Sequence, residues 1–209
     1  MSNWQDALND NPLIAILRGL DADRAVETAD VLVEAGFRII EVPLNSPQPF
    51  VSIERIAAKH GSGIVVGAGT VLTPGAVTDV VNAGGEIIVS PNMNPAVGTR
   101  AAELGAKWCP GVMTPSETFA ALDLGAAVLK FFPAELIPPK AVKAMRAVLP
   151  ADALVAAVGG ITPETMTDYH AAGADSFGLG SALFKPEYDR GELARRAGGF
   201  TKAWKNLAG

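Results

Sequence analysis

Residues 123–135 read DLGAAVLKFFPAE, and this stretch contains the unit from which the whole chain is built. An amphipathic segment ends at Gly125, and an apolar run of strand-forming residues follows at once. Glycine suits the left-handed residue just past a helix C-terminus. Similar glycine-containing ends recur at residues 34–36, 82–85, 103–106 and 171–174. Helices therefore alternate with strands, which predicts parallel βαβ units.

The alternation predicts an α/β fold with about eight strands and eight helices. The predicted strands are residues 13–18, 38–44, 64–70, 86–90, 107–110, 128–132, 154–158 and 176–179. The predicted helices are residues 21–35, 47–60, 74–83, 95–104, 115–124, 138–148, 163–172 and 192–206. Several begin near a proline, which lacks the N–H that the first helical turn leaves unpaired. The capping residues expected just before these prolines are Thr73, Asn94, Thr114 and Thr162.

Eight such units in 209 residues fit a compact (β/α)8 TIM barrel that occupies residues 1–209 as a single domain. Residues 1–10 are predicted to form a short extra N-terminal helix that lies across one end. An open doubly wound sheet is the alternative fold. It is disfavoured because no G-x-G-x-x-G motif follows the first strand.

The composition argues against several classes of partner. The chain is 49% hydrophobic, carries a formal net charge of −5, and has no stripe of basic and aromatic residues, so nucleic-acid binding is not expected. No apolar segment approaches the length of a membrane span, and the first residues do not resemble a signal peptide. Cys109 is the only cysteine, which rules out a disulfide within the chain. We therefore expect a cytoplasmic protein without a membrane partner.

Lys130 is an unusual charge, because it lies inside an apolar strand-like run. Strand periodicity places Val128, Lys130 and Phe132 on one face, and Leu129 and Phe131 on the other. Neither face suits water, so the ammonium group is predicted to point into the protein or a cleft. Burial lowers the pKa of a lysine, and the neutral amine is a nucleophile for carbonyl compounds. The structural alternatives are a lysine that extends to solvent at the strand end and half of a buried ion pair.

Glu41 is a second charge within an apolar strand. In a (β/α)8 barrel the active site lies at the C-terminal ends of the strands, where Arg18 and Thr70 are also expected. If Glu41 and Lys130 both face the interior, an amine and a carboxylate meet near the barrel mouth. These are the groups that imine chemistry with proton transfer requires. A buried salt bridge with a purely structural role is the alternative.

Glycines follow the last two predicted strands. Gly159 and Gly160 end the seventh, while Gly180 and Ser181 end the eighth, where residues 181–184 are predicted to start a helix. Barrels often bind phosphate with these two loops and a short helix N-terminus. The sequence therefore predicts a phosphate site, although the same glycines could simply form tight turns.

No metal site or cofactor is expected. The two histidines, His60 and His170, lie in helical stretches that should be outside the barrel. A divalent-metal aldolase or hydrolase usually needs converging histidine ligands. Cys109 is expected to act as a small apolar residue near the barrel interior.

The chain resembles the KDPG/KHG class I aldolase family, which cleaves 2-keto-3-deoxy-6-phospho sugar acids. The matching runs occur in the family's order over essentially the whole chain, and the Lys-Phe-Phe-Pro-Ala-Glu run is quite specific. They are residues 16–19, 41–44, 66–72, 109–111, 129–135, 159–161 and 178–181.

The resemblance implies a role for each predicted site residue. It implies that Lys130 forms the Schiff base, that Glu41 transfers protons, and that Arg18 and Thr70 hold the pyruvyl end of the substrate. The resemblance also implies that Gly160, Gly180 and Ser181 line a phosphate site, and that the protein is a homotrimer.

Two positions depart from the gluconate-type members. Those members commonly carry arginine where this chain has Asn45, and threonine where it has Val158. Both departures resemble the galactonate branch of the family, and they place Asn45, Val158 and Gly159 in the predicted substrate site. The expected substrate is 2-dehydro-3-deoxy-6-phospho-D-galactonate, cleaved to pyruvate and D-glyceraldehyde 3-phosphate. The alternatives are the gluconate epimer as substrate, a phosphosugar isomerase or epimerase, and a non-catalytic phosphosugar-binding barrel.

Overall fold

The computed structural model describes residues 4–61 and 63–208, in which parallel strands alternate with helices. The strands are β1 Leu13–Ile16, β2 Ile39–Pro43, β3 Val65–Gly69, β4 Ile87–Val89, β5 Lys107–Cys109, β6 Gly111–Val112, β7 Leu129–Phe131, β8 Val155–Val158 and β9 Ser176–Leu179. The α-helices are α1 Trp4–Asp10, α2 Ala25–Glu34, α3 Pro49–His60, α4 Pro74–Asn82, α5 Pro95–Glu103, α6 Pro115–Asp123, α7 Pro139–Arg146, α8 Met166–Ala171 and α9 Arg190–Ala208. Short 3-10 turns occur at Ala22–Arg24 and Ala134–Leu136.

The strands close into a barrel through Pro110. The order around the sheet is β5-β4-β3-β2-β1-β9-β8-β7-β6, so β5 and β6 lie at its two ends. β5 corresponds to the fifth predicted strand up to Cys109, and β6 continues it beyond the predicted end at Pro110, where the ladder is interrupted because proline has no N–H to donate. On the far side of the barrel, the carbonyl of Trp108 in β5 accepts the N–H of Ala127 just before β7 at 2.8 Å, and the carbonyl of Pro110 accepts the N–H of Lys130 in β7 at 3.0 Å, so that both ends of the sheet meet at β7. The predicted (β/α)8 barrel is confirmed.

The side chains of the strands separate into two apolar layers. On β7, Leu129 and Phe131 pack between the strands and the outer helices. Val128 lies in the second cluster, inside the barrel, and Phe132 packs against it. Lys130 lines a cavity with Val128, which confirms the predicted division of this strand into two faces.

The helix α1 covers one end of the barrel interior. Its residues Ala7 and Leu8 are buried in the interior cluster, and Trp4 packs against that cluster. Because α1 leads directly into β1, it lies at the N-terminal ends of the strands. The predicted extra helix is therefore present, and residues 1–3 of the prediction lie outside the described residues.

Three of the four predicted helix caps are correct. Thr73, Asn94 and Thr114 each accept a backbone N–H of the first turn of α4, α5 and α6, respectively. The prediction for Thr162 is wrong, because α8 begins later, at Met166. Thr162 instead forms a turn with Thr165, whose hydroxyl oxygen accepts the N–H of Thr162 at 2.9 Å. No helix in the described part of the chain is long and apolar enough to cross a membrane.

Candidate active site

Lys130 lies in the middle of β7 and points into the barrel. Only 7% of the residue is exposed. Burial lowers the pKa of its amine, while the negative charge of Glu41 acts in the opposite direction. The Nζ atom lies 4.4 Å from the centroid of the Phe132 ring. The environment therefore favours the neutral amine that nucleophilic attack requires.

Glu41 on β2 is 2% exposed and also faces the interior. Burial raises the pKa of its carboxyl group to about 7, against the opposing effects of Lys130, Arg18 and the backbone of Gly69. Among the described residues, no group forms a hydrogen bond with Glu41 Oε2, although this atom is buried. A Cβ atom at Gly69 would overlap the Glu41 carboxylate, so glycine on β3 provides the room for it. A carboxyl group with this pKa can both accept and donate a proton near neutral pH.

A small internal cavity of about 10 Å³ connects these two groups. Lys130, Glu41 and Cys109 line it together with apolar side chains that include Ile16 and Val158. Its volume is that of about one water molecule. Burial raises the pKa of Cys109 to about 12, so the thiol stays protonated. Cys109 thus lies in the barrel interior as a small, uncharged group.

A larger cleft of about 860 Å³ opens next to this cavity. Ile16 and Val158 line both spaces, and Phe132 lines the larger one. Arg18, at the end of β1, also lines the cleft. The cleft is of the size that binds small metabolites, and its inner end lies beside the Lys130 pair.

The loops after β1 and β2 are tied to each other. The Arg18 Nη1 atom donates a hydrogen bond to Asn45 Oδ1 at 2.8 Å. The adjacent Gly19 N–H donates to the hydroxyl oxygen of Ser46 at 2.9 Å. Ser46 is buried, whereas Arg18 and Asn45 are exposed. Asn45 therefore holds the Arg18 side chain in place at the barrel mouth.

Thr70 follows β3 at the same end of the barrel. Its φ of 58° places a non-glycine residue in the left-handed region, which is an unusual and strained conformation. Of the described site residues, Thr70 and Asn45 line neither cavity. Asn45 reaches the cleft only through its hydrogen bond with Arg18.

The predicted phosphate residues lie on one wall of the cleft. The lining includes Gly159, Gly160, Gly180 and Ser181. Within the described ranges, the backbone N–H groups of Gly160, Ser181 and Ala182 donate to no protein acceptor. Free N–H groups on two adjacent loops suit the oxygen atoms of an anion.

The helix predicted at residues 181–184 is absent, and a single turn replaces it. The N–H groups of Leu183 and Phe184 both donate to the carbonyl of Gly180, at 2.8 and 3.0 Å. Pro186 keeps this turn from continuing as a helix, because the residue before a proline disfavours the helical conformation. The prediction of a helix start here was wrong, although the loop remains in the cleft wall.

The histidines lie on outer helices, as predicted. His60 Nε2 is 2.8 Å from Asp30 Oδ1. His170 Nδ1 is 3.1 Å from the carbonyl oxygen of Ala174. Between residues 4 and 208, Ser62 set aside, no group of three or more His, Cys, Asp or Glu side chains could hold a metal ion.

Comparison with known proteins gives the same family as the sequence motifs. The family model described as KDPG and KHG aldolase matches residues 5–195. The chain belongs to the KDPG and KHG aldolase family. A relative from Rhizobium meliloti (strain 1021), named probable 2-dehydro-3-deoxy-6-phosphogalactonate aldolase, is 49% identical over 90% of this chain and 89% of the relative. The 2-dehydro-3-deoxy-6-phosphogalactonate aldolase of Escherichia coli (strain K12) is 43% identical over 97% of each chain.

A solved structure has the same fold as this member of the KDPG and KHG aldolase family. The structure described as native KDPGal has a TM-score of 0.93 and 42% sequence identity, over 94% of this chain and 96% of the other. The family assignment therefore rests on sequence and on fold over nearly the full described chain.

Three residues of the candidate site were not predicted from the sequence. The Phe132 ring lies against the Lys130 Nζ atom, and its position on the same face of the strand was the available signal. The Ser46 hydroxyl oxygen accepts the N–H of Gly19 and so joins two loops. These residues are 27 positions apart, and no local sequence pattern indicates a contact at that separation. Glu135 lines the cleft, and its side chain occupies the space where a Cβ atom at Gly159 or Gly160 would lie.

Proposed function

We propose that this protein is a class I aldolase that cleaves 2-dehydro-3-deoxy-6-phospho-D-galactonate to pyruvate and D-glyceraldehyde 3-phosphate. The observation that carries the proposal is the pair of Lys130 and Glu41, both buried around one small cavity beside a large cleft. The altered pKa values of both groups suit an amine nucleophile with a proton-transferring carboxyl group. The proposed reaction uses no metal or cofactor.

Lys130 acts as the nucleophile. Its neutral amine adds to the C2 ketone, and the carbinolamine takes a proton from the Glu41 carboxyl group and loses water to give a protonated imine. This imine accepts the electron pair of the C3–C4 bond when Glu41, directly or through one water, removes the proton of the C4 hydroxyl group. D-Glyceraldehyde 3-phosphate leaves, and the enamine on Lys130 is protonated at C3. Hydrolysis of the imine then releases pyruvate and restores the amine.

The two ends of the substrate bind on different sides of Lys130. The Arg18 guanidinium group, held by Asn45, attracts the carboxylate of the pyruvyl end, and Thr70 lies at the same rim. The phosphate group binds the free backbone N–H groups of the loops at Gly160 and Ser181.

Val158 is the proposed determinant of the C4 configuration. It lines both the small cavity of Lys130 and the large cleft, between the nucleophile and the phosphate loops. Its apolar side chain cannot form a hydrogen bond with a C4 hydroxyl group directed at β8. The galactonate epimer directs this hydroxyl group to the opposite side, and both relatives described above carry galactonate in their names.

The test compares the two C4 epimers in an assay that couples pyruvate release to lactate dehydrogenase. We expect both to be cleaved by a Schiff-base route, with kcat/KM at least tenfold higher for the galactonate epimer. A preference for the gluconate epimer would overturn the substrate assignment. If phosphosugars were isomerised or epimerised without pyruvate release, the protein would be an isomerase. Binding of either epimer without turnover would indicate a phosphosugar-binding barrel.

The assembly proposed with this activity is a homotrimer. Leu72 follows β3, Met113 follows β6 and Leu136 lies in the 3-10 turn after β7; all three are exposed at the barrel mouth, and Phe119 is exposed on α6. Exposed apolar side chains favour burial between subunits. Sedimentation equilibrium is expected to give three copies, and a monomer at all concentrations would contradict this assembly.

We also propose that the chain forms a single domain and that the enzyme works in the cytoplasm. We treat residues 1–209 as one barrel domain, which is supported by a core cluster with members from Leu13 to Phe200. We place the enzyme in the cytoplasm, where cysteines are kept reduced, because Cys109 is a free buried thiol. Proteolysis that produces a stable fragment of half the chain would contradict the single domain.

A further inference from the structure

The ring of Phe132 lies against the nitrogen atom that is proposed to react. Lys130 Nζ is 4.4 Å from the ring centroid, within the range in which a cation interacts with an aromatic face. Phe132 lines the large cleft and packs against the interior cluster. The ring is thus part of the wall between the buried amine and the space where substrate would bind.

We propose, on the basis of the function proposed above for Lys130, that Phe132 is a catalytic residue whose ring face stabilises the positive charge of the imine at Nζ. When the carbinolamine hydroxyl group takes up a proton from Glu41 and leaves as water, the nitrogen keeps its one hydrogen and becomes positively charged. The electron-rich ring face attracts this cation but not the neutral amine that precedes it. An interaction that strengthens as charge develops accelerates the reaction rather than only the binding of substrate.

The other groups near Lys130 cannot supply a constant negative field. Glu41 and Cys109 are the acidic groups with an electrostatic effect on the Lys130 amine. Cys109 stays a neutral thiol because burial raises its pKa to about 12. Glu41 must gain and lose a proton during the cycle, so it is neutral in part of it. The Phe132 ring does not titrate, and its attraction for the cation persists when the Glu41 carboxyl group is protonated.

The surroundings strengthen this contact. The cavity next to Nζ is lined mainly by apolar side chains, among them Ile14, Val128 and Ala156. Cation–π attraction is larger in a desolvated site than at an exposed one. On this basis we expect the ring to contribute about tenfold to the rate of imine-dependent steps, which corresponds to about 1.4 kcal/mol.

Stepwise fluorination of the ring provides the test. Phenylalanine analogues with one, two and three fluorines on the ring edge replace Phe132, since each fluorine weakens the negative face with little change in shape. We expect kcat to fall with each fluorine, by about tenfold in total for the trifluoro analogue. The fraction of imine with pyruvate, trapped by borohydride without turnover, is expected to fall in the same order. Phe132→Tyr retains an electron-rich ring and should stay near the wild-type rate, whereas Phe132→Leu should lose about tenfold.

Phe131 provides the matched control. It is the preceding residue on β7, but it is buried on the opposite face, between the strand and the helices. Fluorination of Phe131 is expected to leave kcat and the trapped fraction unchanged. Thermal unfolding of each variant excludes loss of the fold as the cause of a lower rate.

The outcomes separate this proposal from the function on which it rests. If wild-type protein forms the pyruvate adduct at Lys130 and fluorination changes neither kcat nor the trapped fraction, the ring has only a packing role and the inference is wrong. An equal loss from fluorinated Phe131 would also overturn it. If the wild-type protein forms no adduct at Lys130, the proposed function itself fails, and the role of Phe132 fails with it.

Discussion

Arg18 donates a hydrogen bond from its Nη1 atom to Asn45 Oδ1 at 2.8 Å, which joins the loops after β1 and β2. The two residues are 27 positions apart and both are exposed. The neighbouring hydrogen bond from the Gly19 N–H to the Ser46 hydroxyl oxygen, at 2.9 Å, fixes the backbone beside Arg18. A neutral asparagine at position 45 therefore positions the arginine of another strand instead of carrying a charge of its own.

Asn45→Ala should weaken substrate binding through Arg18. A hydrogen bond that holds an exposed guanidinium group is worth about 1 kcal/mol, so we expect KM to rise about threefold to tenfold with kcat nearly unchanged. Steady-state kinetics measure both constants. Asn82→Ala, at the exposed end of α4, is the matched control and should change neither.

A double substitution tests whether Asn45 acts through Arg18. In an Arg18→Leu background the hydrogen bond donor is already lost, so Asn45→Ala should add little to the rise in KM. An additive effect would mean that Asn45 contacts the substrate directly.

Gly69→Ala should disturb the Glu41 carboxylate. The added Cβ atom would overlap the carboxylate atoms, and both residues are buried. We expect kcat to fall more than tenfold, with a loss of about 1–3 kcal/mol in the free energy of unfolding. Gly75→Ala in α4 is the control, because no atom lies within 4 Å of an added Cβ there. Equal kinetics for the two variants would contradict the tight packing of Glu41 against β3.

The pH dependence of kcat/KM should report the buried pair. Glu41 must be deprotonated to act as a base, and burial raises its pKa from 4.5 to about 7. Lys130 must be neutral to attack, and burial lowers its pKa from 10.5. Both requirements make activity rise with pH, and the limb that belongs to Glu41 is expected near pH 7 rather than near 4.5. Glu41→Gln should lower the rate and remove this limb, while the requirement for neutral Lys130 remains. An unchanged limb in that variant would assign it to another group.

Gly160→Ala should affect the phosphate end of the substrate. Gly160 has a φ of 64°, and a Cβ atom there would meet the Glu135 side chain. Gly125 has a φ of 77° but nothing within 4 Å of an added Cβ, so Gly125→Ala shares only the backbone strain of about 1 kcal/mol. We expect KM for the phosphorylated substrate to rise at least tenfold in Gly160→Ala alone. Rates with an unphosphorylated analogue should stay similar in both variants. A KM that is equal in the two variants would remove Gly160 from the phosphate site.

The fold and the buried pair were predictable because both follow from local patterns. The alternation of helix and strand determines the barrel, and the two-residue period of strands predicted which face of β7 carries Lys130. The inward direction of Glu41 was only a condition of the predicted pairing, and the structure meets that condition. These patterns depend on neighbouring residues, so the sequence alone is sufficient for them.

The remaining features depend on contacts between distant residues or on competing local bonds. The hydrogen bond from Arg18 to Asn45 joins two loops, and no spacing along the chain indicates it. The turn at Gly180 and the pairing of Thr162 with Thr165 replaced predicted helix starts, because local hydrogen bonds satisfied the same backbone groups. Pro110 is visible in the sequence as a residue without an N–H, which is compatible with an interrupted strand. That the two segments on either side of it pair with β4 and with β7 is seen only in the three-dimensional register.

The central claim is that Lys130 forms a Schiff base, and trapping with borohydride tests it most directly. The protein is incubated with pyruvate, reduced with sodium borohydride, digested, and examined by mass spectrometry. We predict one reduced pyruvyl adduct, located on Lys130 and absent from Lys130→Met, which should keep the fold because methionine resembles the lysine stem in size. An intact protein that cleaves substrate but carries no adduct on Lys130, or carries it on another lysine, would contradict the claim.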